Sequence, residues 1–476
     1  MAGKMLIQNQ ILLSGINPET KKYLKDYLTT LNPVWEEAQK YGRYLRHIPK
    51  HLVQYEDLGK QEILVPRGIM HHLQWDLGLE WEILDERVAP EVVWGEGNIE
   101  LRPDDQETAV GVLLRRDSGF LSAPAGSGKT VMGLELARRL GLKTLWMTHQ
   151  NTLKDQALEE AIEHLEIPKK EVGMIHGAKT KIGEQLTIGM IPTLRKRDLT
   201  SIVKEFGTVI VDEAHHAPSN TFLNVINQFW AKHVYGLTAT AYRRDKLESV
   251  MFNAIGPILT EIKHQELVED AHLIIPSIIK RATGWYPLYS TSMEHNDFME
   301  AMVSARARNE MIVADVVKEC IPGNTCIVLV ERTKHAEVLD QMLREAGLRS
   351  GFAVGSIDLE SRPGKKEKRK KAIPKKVREK IIQDLKTGEL QVLVATYDLL
   401  MEGFNYRPLN RLFLATPIKY RGSVIQALGR IQRPSPGKGN ALAYDYVDDS
   451  IAMFSRQANH REYTVYREMG MPVHWQ

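Results

Sequence analysis

Ser122-Ala-Pro-Ala-Gly-Ser-Gly-Lys-Thr130 stands between a short apolar lead, Gly119-Phe-Leu, and an amphipathic run, Val131 to Leu140. Strand, glycine-rich turn and helix, in that order, are the context that a phosphate-binding loop needs. Small residues let successive backbone N–H groups curl around a phosphate, and the helix N-terminus adds its positive dipole. Ala125, Gly126, Ser127 and Gly128 would form the cradle, Lys129 would reach the β- and γ-phosphates, and Thr130 would hold Mg²⁺. Ala123 takes the place of the first glycine in the usual spacing.

Outward from this loop, apolar strands alternate with helical patterns from Asn98 to about Pro276, which predicts a parallel α/β domain. Strands are expected at Thr144–Met147, Val172–Ile175, Leu186–Ile188, Thr208–Val211 and Val234–Leu237, with a helix over Leu153–Leu165. The pattern repeats further on, with strands at Thr325–Val330, Gln391–Val394, Arg411–Leu414 and Ala441–Asp445 and helices at Lys334–Ala346 and Val377–Lys386. The expected organisation is an N-terminal unit over 1–95, α/β domains over 96–276 and 277–447, and a helical tail over 448–476.

In the N-terminal unit, helices are expected at Pro18–Leu31 and Pro33–Tyr41. A hairpin of His51–Glu56 with Glu62–Pro66 turns at Leu58-Gly59, and a further strand spans Trp81–Val88. Tyr41, Arg43, Tyr44, Arg46 and His47 interleave aromatic and basic side chains, which suits base stacking and phosphate contact. The first 95 residues carry 11 Lys/Arg against 13 Asp/Glu, which favours the plainer reading of packed aromatics.

A chain of 476 residues exceeds one hydrophobic core. Its net charge of +3 is too small to point to a polyanion by itself. Two cysteines, Cys320 and Cys326, give neither a disulfide framework nor a zinc site and fit a reducing cytosol. The patch Met5–Leu13, broken by Gln8, Asn9 and Gln10, is no signal-peptide core, and no run reaches the ~18 apolar residues of a membrane span. The chain is therefore expected in the cytoplasm. Arg362 to Lys380 is a basic block with 11 Lys/Arg against Glu367 and Glu379. It reads equally as a solvated loop or as a phosphate contact.

Val209-Ile-Val-Asp212-Glu213-Ala214-His215 places two adjacent carboxylates at the end of an apolar strand. In an ATPase, Asp212 would orient Mg²⁺ through water and Glu213 would polarise the attacking water. With Asp-Glu-Ala-His in view, the chain resembles the DEAH-type helicases and translocases of superfamily 2, over nearly everything from Leu101 to Met469. The resemblance implies two tandem RecA-like parallel-sheet domains in an α/β fold, behind a small N-terminal α+β accessory domain.

Residue by residue, Leu101-Arg-Pro-Asp-Asp-Gln106 looks like the adenine-reading element, with Gln106 as its glutamine. Thr148-His-Gln-Asn-Thr resembles a backbone-contacting motif, which implies nucleic-acid contacts by His149 and Gln150. Gly189-Met-Ile-Pro-Thr193 resembles the next, through Thr193. Gly236-Leu-Thr238-Ala-Thr240-Ala matches the element that couples the two sites, implying coupling roles for Thr238, Thr240 and His215. Val330-Glu-Arg332 and Val394-Ala-Thr396 imply further nucleic-acid contacts by Arg332 and Thr396. Glu402-Gly403-Phe-Asn405 implies Gly403 at the nucleotide, with Asn405 where aspartate is common. Gln426-Ala-Leu-Gly429-Arg430-Ile-Gln-Arg433-Pro434 matches its motif throughout, implying Gln426 at the nucleotide. Arg430 and Arg433, three apart and expected at a helix start, would share a face and stabilise transition-state charge.

The resemblance implies ATP and Mg²⁺ as cofactors and an ATP-driven motor on DNA, single-stranded, forked or duplex, moving 3′ to 5′ if it unwinds. An RNA helicase and a non-processive ATP-gated switch subunit of a restriction, defence or repair complex stand as alternatives. No nuclease cluster is present, so cleavage would come from a partner subunit. A monomer is one reading of the subunit state, which the sequence leaves open.

Overall fold

β8 (Ser118–Ser122) is the strand that feeds the glycine-rich loop, and the first half of the molecule is laid out around it. The computed structural model describes the chain except at 1–2, 41, 43–47, 78–79, 125, 215–223, 240–247, 265–266, 268–272, 288–292, 355–374, 398, 400–405 and 419–420. Ala125, His215, Thr240, Gly403, the stretch Tyr41–His47 apart from Gly42, and 362–374 of the basic block lie outside the described residues. The chain divides into two compact units, Met1–Ile262 and Lys263–Gln476.

The first unit begins with a small sheet. β1 (Gly3–Ile7) and β2 (Ile11–Ser14) form an antiparallel hairpin, so the interrupted patch Met5–Leu13 is two strands and a turn. The helix that starts at Pro18 ends at Tyr27, and Thr29–Leu31 continues as β3, paired with β4 (His51–Val53). This corrects the expected hairpin. Its first strand is β5 (Glu56–Gly59), which pairs with β6 (Glu62–Val65), while His51–Val53 goes to β3. Strand alternation alone cannot choose between two partners of similar pattern. β7 (Trp81–Asp85) returns to pair in parallel with β1.

This layer is fastened to the rest of the first unit. Arg67 is buried, and its Nη1 donates to the Ala231 carbonyl at 2.8 Å. At Gly68 an added Cβ would lie 2.4 Å from the Phe252 carbonyl oxygen. Only a glycine permits so close a backbone approach.

The main sheet of the unit contains β8, β9 (Thr144–Thr148), β10 (Gly173–His176), β11 (Lys179–Lys181), β12 (Leu186–Met190), β13 (Thr208–Val211), β14 (His233–Thr238) and β15 (Ile258–Glu261). Their order is β11-β10-β12-β9-β13-β14-β8-β15, parallel except for β11. Every residue of β9, β12, β13 and β14 is buried. Helices cover both faces of such a sheet, so its strands read as continuous apolar runs. Phe120, Leu145, Met147, Val209, Val211 and Val234 belong to one core cluster.

The second unit has a sheet of β16 (Ser277–Ala282), β17 (Cys326–Val330), β18 (Ser350–Ala353), β19 (Val392–Thr396), β20 (Arg411–Leu414), β21 (Leu442–Val447) and β22 (Val473–Trp475). All its pairings are parallel, in the order β18-β19-β17-β20-β21-β16-β22. The tail is helical over Ala452–Arg461, but Val473–Trp475 then adds an edge strand beside β16. Inside the unit, Arg308–Asp448 and Arg461–Asp445 are buried pairs with hydrogen bonds of 2.7 Å. Among the described residues no helix is long and apolar enough to cross a membrane.

Candidate active site

Parallel strands end on one edge, and in the first unit the expected site residues follow those ends. The loop leaves β8, His149 and Gln150 leave β9, Thr193 follows β12, Asp212 and Glu213 follow β13, and Thr238 closes β14. Ligands of open α/β sheets bind outside these carboxyl ends.

The loop is shaped by its glycines. Gly126 and Gly128 have φ of 90° and 87°, a left-handed backbone that L side chains resist. Gly128 is the residue before the helix Lys129–Leu140. A Cβ on Gly128 would meet Gln106 Nε2 at 2.5 Å. Gln106 lies buried in the helical turn Pro103–Glu107; its Nε2 donates to the Ser127 carbonyl at 2.8 Å and its Oε1 accepts from Arg102 N at 3.0 Å. Arg102 Nη2 donates to the same Ser127 carbonyl at 3.0 Å. The turn at Pro103 brings Arg102 beside Gln106. Ala123 N donates to the Thr238 carbonyl at 2.9 Å, which ties the start of the loop to β14.

Lys129 is 8% exposed, and its Nζ donates to the carbonyls of Ala123 at 2.9 Å and Pro124 at 3.2 Å. The same Nζ is 3.8 Å from Glu213 Oε1. Glu213 has φ of 46°, a left-handed conformation that costs a non-glycine residue about 1–2 kcal/mol. Strain of this kind gathers at functional sites, and no sequence pattern announced it. Asp212 is 5% exposed, and its backbone N–H donates to the Met147 carbonyl. Burial pushes the Asp212 carboxyl up to about 8, with Glu213 adding repulsion and Lys129 opposing it.

These residues suit a nucleotide phosphate and a hard cation. Ser127 Oγ is buried and has no hydrogen-bond partner among the described residues, an acceptor-seeking hydroxyl set inside the loop. Thr130 and Asp212 carry oxygen atoms of the kind Mg²⁺ prefers, and the ion commonly binds through one or two carboxylates plus substrate phosphates. Accordingly, no group of three or more His, Cys, Asp or Glu able to hold a metal occurs among the described residues.

The remaining site residues of the first unit are spread along the same edge. Gln150 is the extended residue before the helix Asn151–Leu165. Thr193 Oγ1, in the short turn Ile191–Leu194, accepts from Gly177 N at 3.3 Å.

In the second unit, Thr396 ends β19 and is buried, and Arg332 precedes the helix Thr333–Glu345, its Nη2 donating to Asn296 Oδ1 at 3.0 Å. Gln426 and Arg430 lie on the helix Arg421–Ile431. The expected helix start at the arginines is corrected: Arg430 is in the last turn, and Arg433 lies two residues beyond the helix. Pro434 and Pro436 supply the reason, because a residue before proline is pushed out of the α region.

Two family models match the chain, "Type III restriction enzyme, res subunit" over residues 98–243 and "Helicase conserved C-terminal domain" over 311–435, together more than half of it. Similar proteins include "Probable helicase D10" of Escherichia phage T5, 24% identical over 438 residues that cover 89% of each chain. Another is "ATP-dependent DNA helicase uvsW" of Enterobacteria phage T4, 23% identical over 375 residues, 74% of this chain and 70% of that one. Among solved structures, S. cerevisiae Dbp5 bound to RNA and ADP BeF3 superposes with a TM-score of 0.54 at 14% identity, covering 78% of this chain and 89% of that one. The motifs keep their order along the chain, their residues follow strand ends of the two main sheets, and the two family models cover β8 to β14 and β17 to β20. The chain belongs to superfamily 2 of the helicases and is a nucleic-acid-dependent ATPase.

Proposed function

We propose that the chain is an ATP-driven motor that moves along or remodels DNA. The observation that carries this reading is the arrangement around Lys129: its ammonium lies 3.8 Å from the strained Glu213, while Gln106 holds the loop at Ser127. In this reading the loop from Ala125 to Gly128 and Thr130 holds the phosphates of ATP, Gln106 reads the adenine, and Lys129 neutralises the β- and γ-phosphates. Glu213 orients and deprotonates the attacking water. Mg²⁺, held by Thr130 and Asp212, would offset negative charge on the phosphates. Arg430 and Arg433 stabilise charge that develops on the transferring phosphoryl group, and Gln426 with Gly403 completes nucleotide recognition. His149, Gln150, Thr193, Arg332 and Thr396 grip the nucleic-acid backbone, with His215, Thr238 and Thr240 coupling that grip to the nucleotide.

DNA is favoured by the Asp-Glu-Ala-His-His run, by the restriction-enzyme name of the first family model and by the DNA helicase uvsW among the relatives. RNA is the second reading, favoured by the RNA-bound Dbp5 among the folds that superpose. ATP turnover on single-stranded DNA, forked DNA and RNA, measured side by side with strand displacement, tests the proposal. Stimulation by DNA with displacement supports a DNA motor. Stimulation by RNA alone overturns the choice of DNA, and stimulation without displacement or movement leaves an ATP-gated switch.

A further inference from the structure

Gln432 stands between Arg430 and Arg433 and has no part in the roles given to them. It is 1% exposed, just past the end of the helix Arg421–Ile431. Its Nε2 lies 2.7 Å from His264 Nε2. The amide donates, so the ring accepts on Nε2 and is neutral, with its proton on Nδ1. The Gln432 carbonyl accepts from Ile274 N at 2.7 Å, and the next carbonyl, that of Arg433, accepts from Lys438 Nζ at 2.8 Å. The bend that carries Arg433 is thus held at two successive carbonyls and at one buried side chain.

His264 and Ile274 belong to the segment that leads from the first sheet into the second. Ile262 precedes His264 by two positions, and its N–H donates to the Ser122 carbonyl at 2.8 Å. Ser122 is the last residue of β8, where the phosphate loop begins.

We propose that His264 and Gln432 are a pair of positioning residues for ATP hydrolysis, which set the bend bearing Arg433. The inference rests on the assignment of Arg433 to the transferring phosphate. Neither residue touches ATP. Breaking their bond removes one of the three ties on the bend without removing an arginine, so turnover falls while ATP binding stays.

The test is steady-state ATPase of the full chain with saturating single-stranded DNA, for His264→Ala, Gln432→Leu, the double variant, His264→Gln and Arg433→Ala. His264→Ala and Gln432→Leu should each lower kcat about tenfold, with KM for ATP within about twofold of the parent. The double variant should be no slower than the slower single one, the mark of a shared interaction. His264→Gln restores a hydrogen-bonding partner and should recover at least about half of kcat. Wild-type kcat in both single variants, beside a collapsed Arg433→Ala, overturns the pair and leaves the role of Arg433 standing. Additive losses, or lowered thermal midpoints with wild-type kcat per folded molecule, reduce the pair to packing and also overturn it. Wild-type kcat in Arg433→Ala overturns the role of the arginine and the pair with it.

Discussion

Glu213 holds a left-handed backbone at the end of β13 and sets its carboxylate 3.8 Å from Lys129 Nζ, across from the loop that leaves β8. The ammonium and the carboxylate are kept close in a site largely shielded from water. Each can be removed separately.

Lys129→Ala removes the cation and should cut ATP turnover by at least about 10²-fold. Lys129 is the first residue of its helix, where alanine is well tolerated, so the thermal midpoint should stay close to the parent. Turnover equal to the parent would take Lys129 out of the reaction.

Glu213→Gln keeps the size of the side chain and loses the base. ATP binding, followed by a fluorescent nucleotide, should persist while hydrolysis stalls. Glu213→Gly should also stall hydrolysis, yet its left-handed backbone no longer carries the penalty of a side chain, so stability should hold or rise by up to about 1 kcal/mol. An active glycine variant would refute the role of the carboxylate.

His335 is fully buried in the second unit, its Nε2 2.9 Å from Asn309 Oδ1. Burial, with Arg308 nearby, holds the ring far below its usual range, at about 3. The unfolded chain takes up a proton near the ordinary value of about 6.5 and the folded chain does not. This contribution is therefore complete above about pH 6.5 and is lost as pH falls toward 3, at up to about 1.4 kcal/mol per pH unit. Urea unfolding at a series of pH values should show that slope for the second unit. His335→Asn should flatten it, and an unchanged slope would assign the acid sensitivity elsewhere.

Replacing Lys365, Lys366, Lys368, Arg369, Lys370 and Lys371 by glutamine should weaken DNA binding and reduce its dependence on salt. If each contacts a phosphate, the slope of log K against log salt falls by roughly 0.9 per residue. An identical slope would leave the block as a solvated loop.

The parts legible in the sequence were those written in contiguous residues. The turn of Gly126–Gly128, the run Val209–Glu213 and the buried strands each carry their pattern within a few positions, and each lies where it was expected. Partner choice was less legible. His51–Val53 alternates as well as Glu56–Gly59 does, and only tertiary pairing sends the first to Thr29–Leu31. Arg433 was placed on a helix because its spacing from Arg430 fits one, although Pro434 already argued for an exit. The left-handed Glu213 and the Gln432–His264 bond had no signal at all, since a backbone angle and a contact between distant positions leave no local trace.

The close backbone approach at Gly68 has a mechanical meaning. With Arg67 bonded to the Ala231 carbonyl and no room beside Gly68 for even a methyl group, the N-terminal layer has little freedom to slide over the sheet that carries the nucleotide loop. It travels as a passenger of that sheet. A load placed on the layer is passed directly to the sheet that carries the loop.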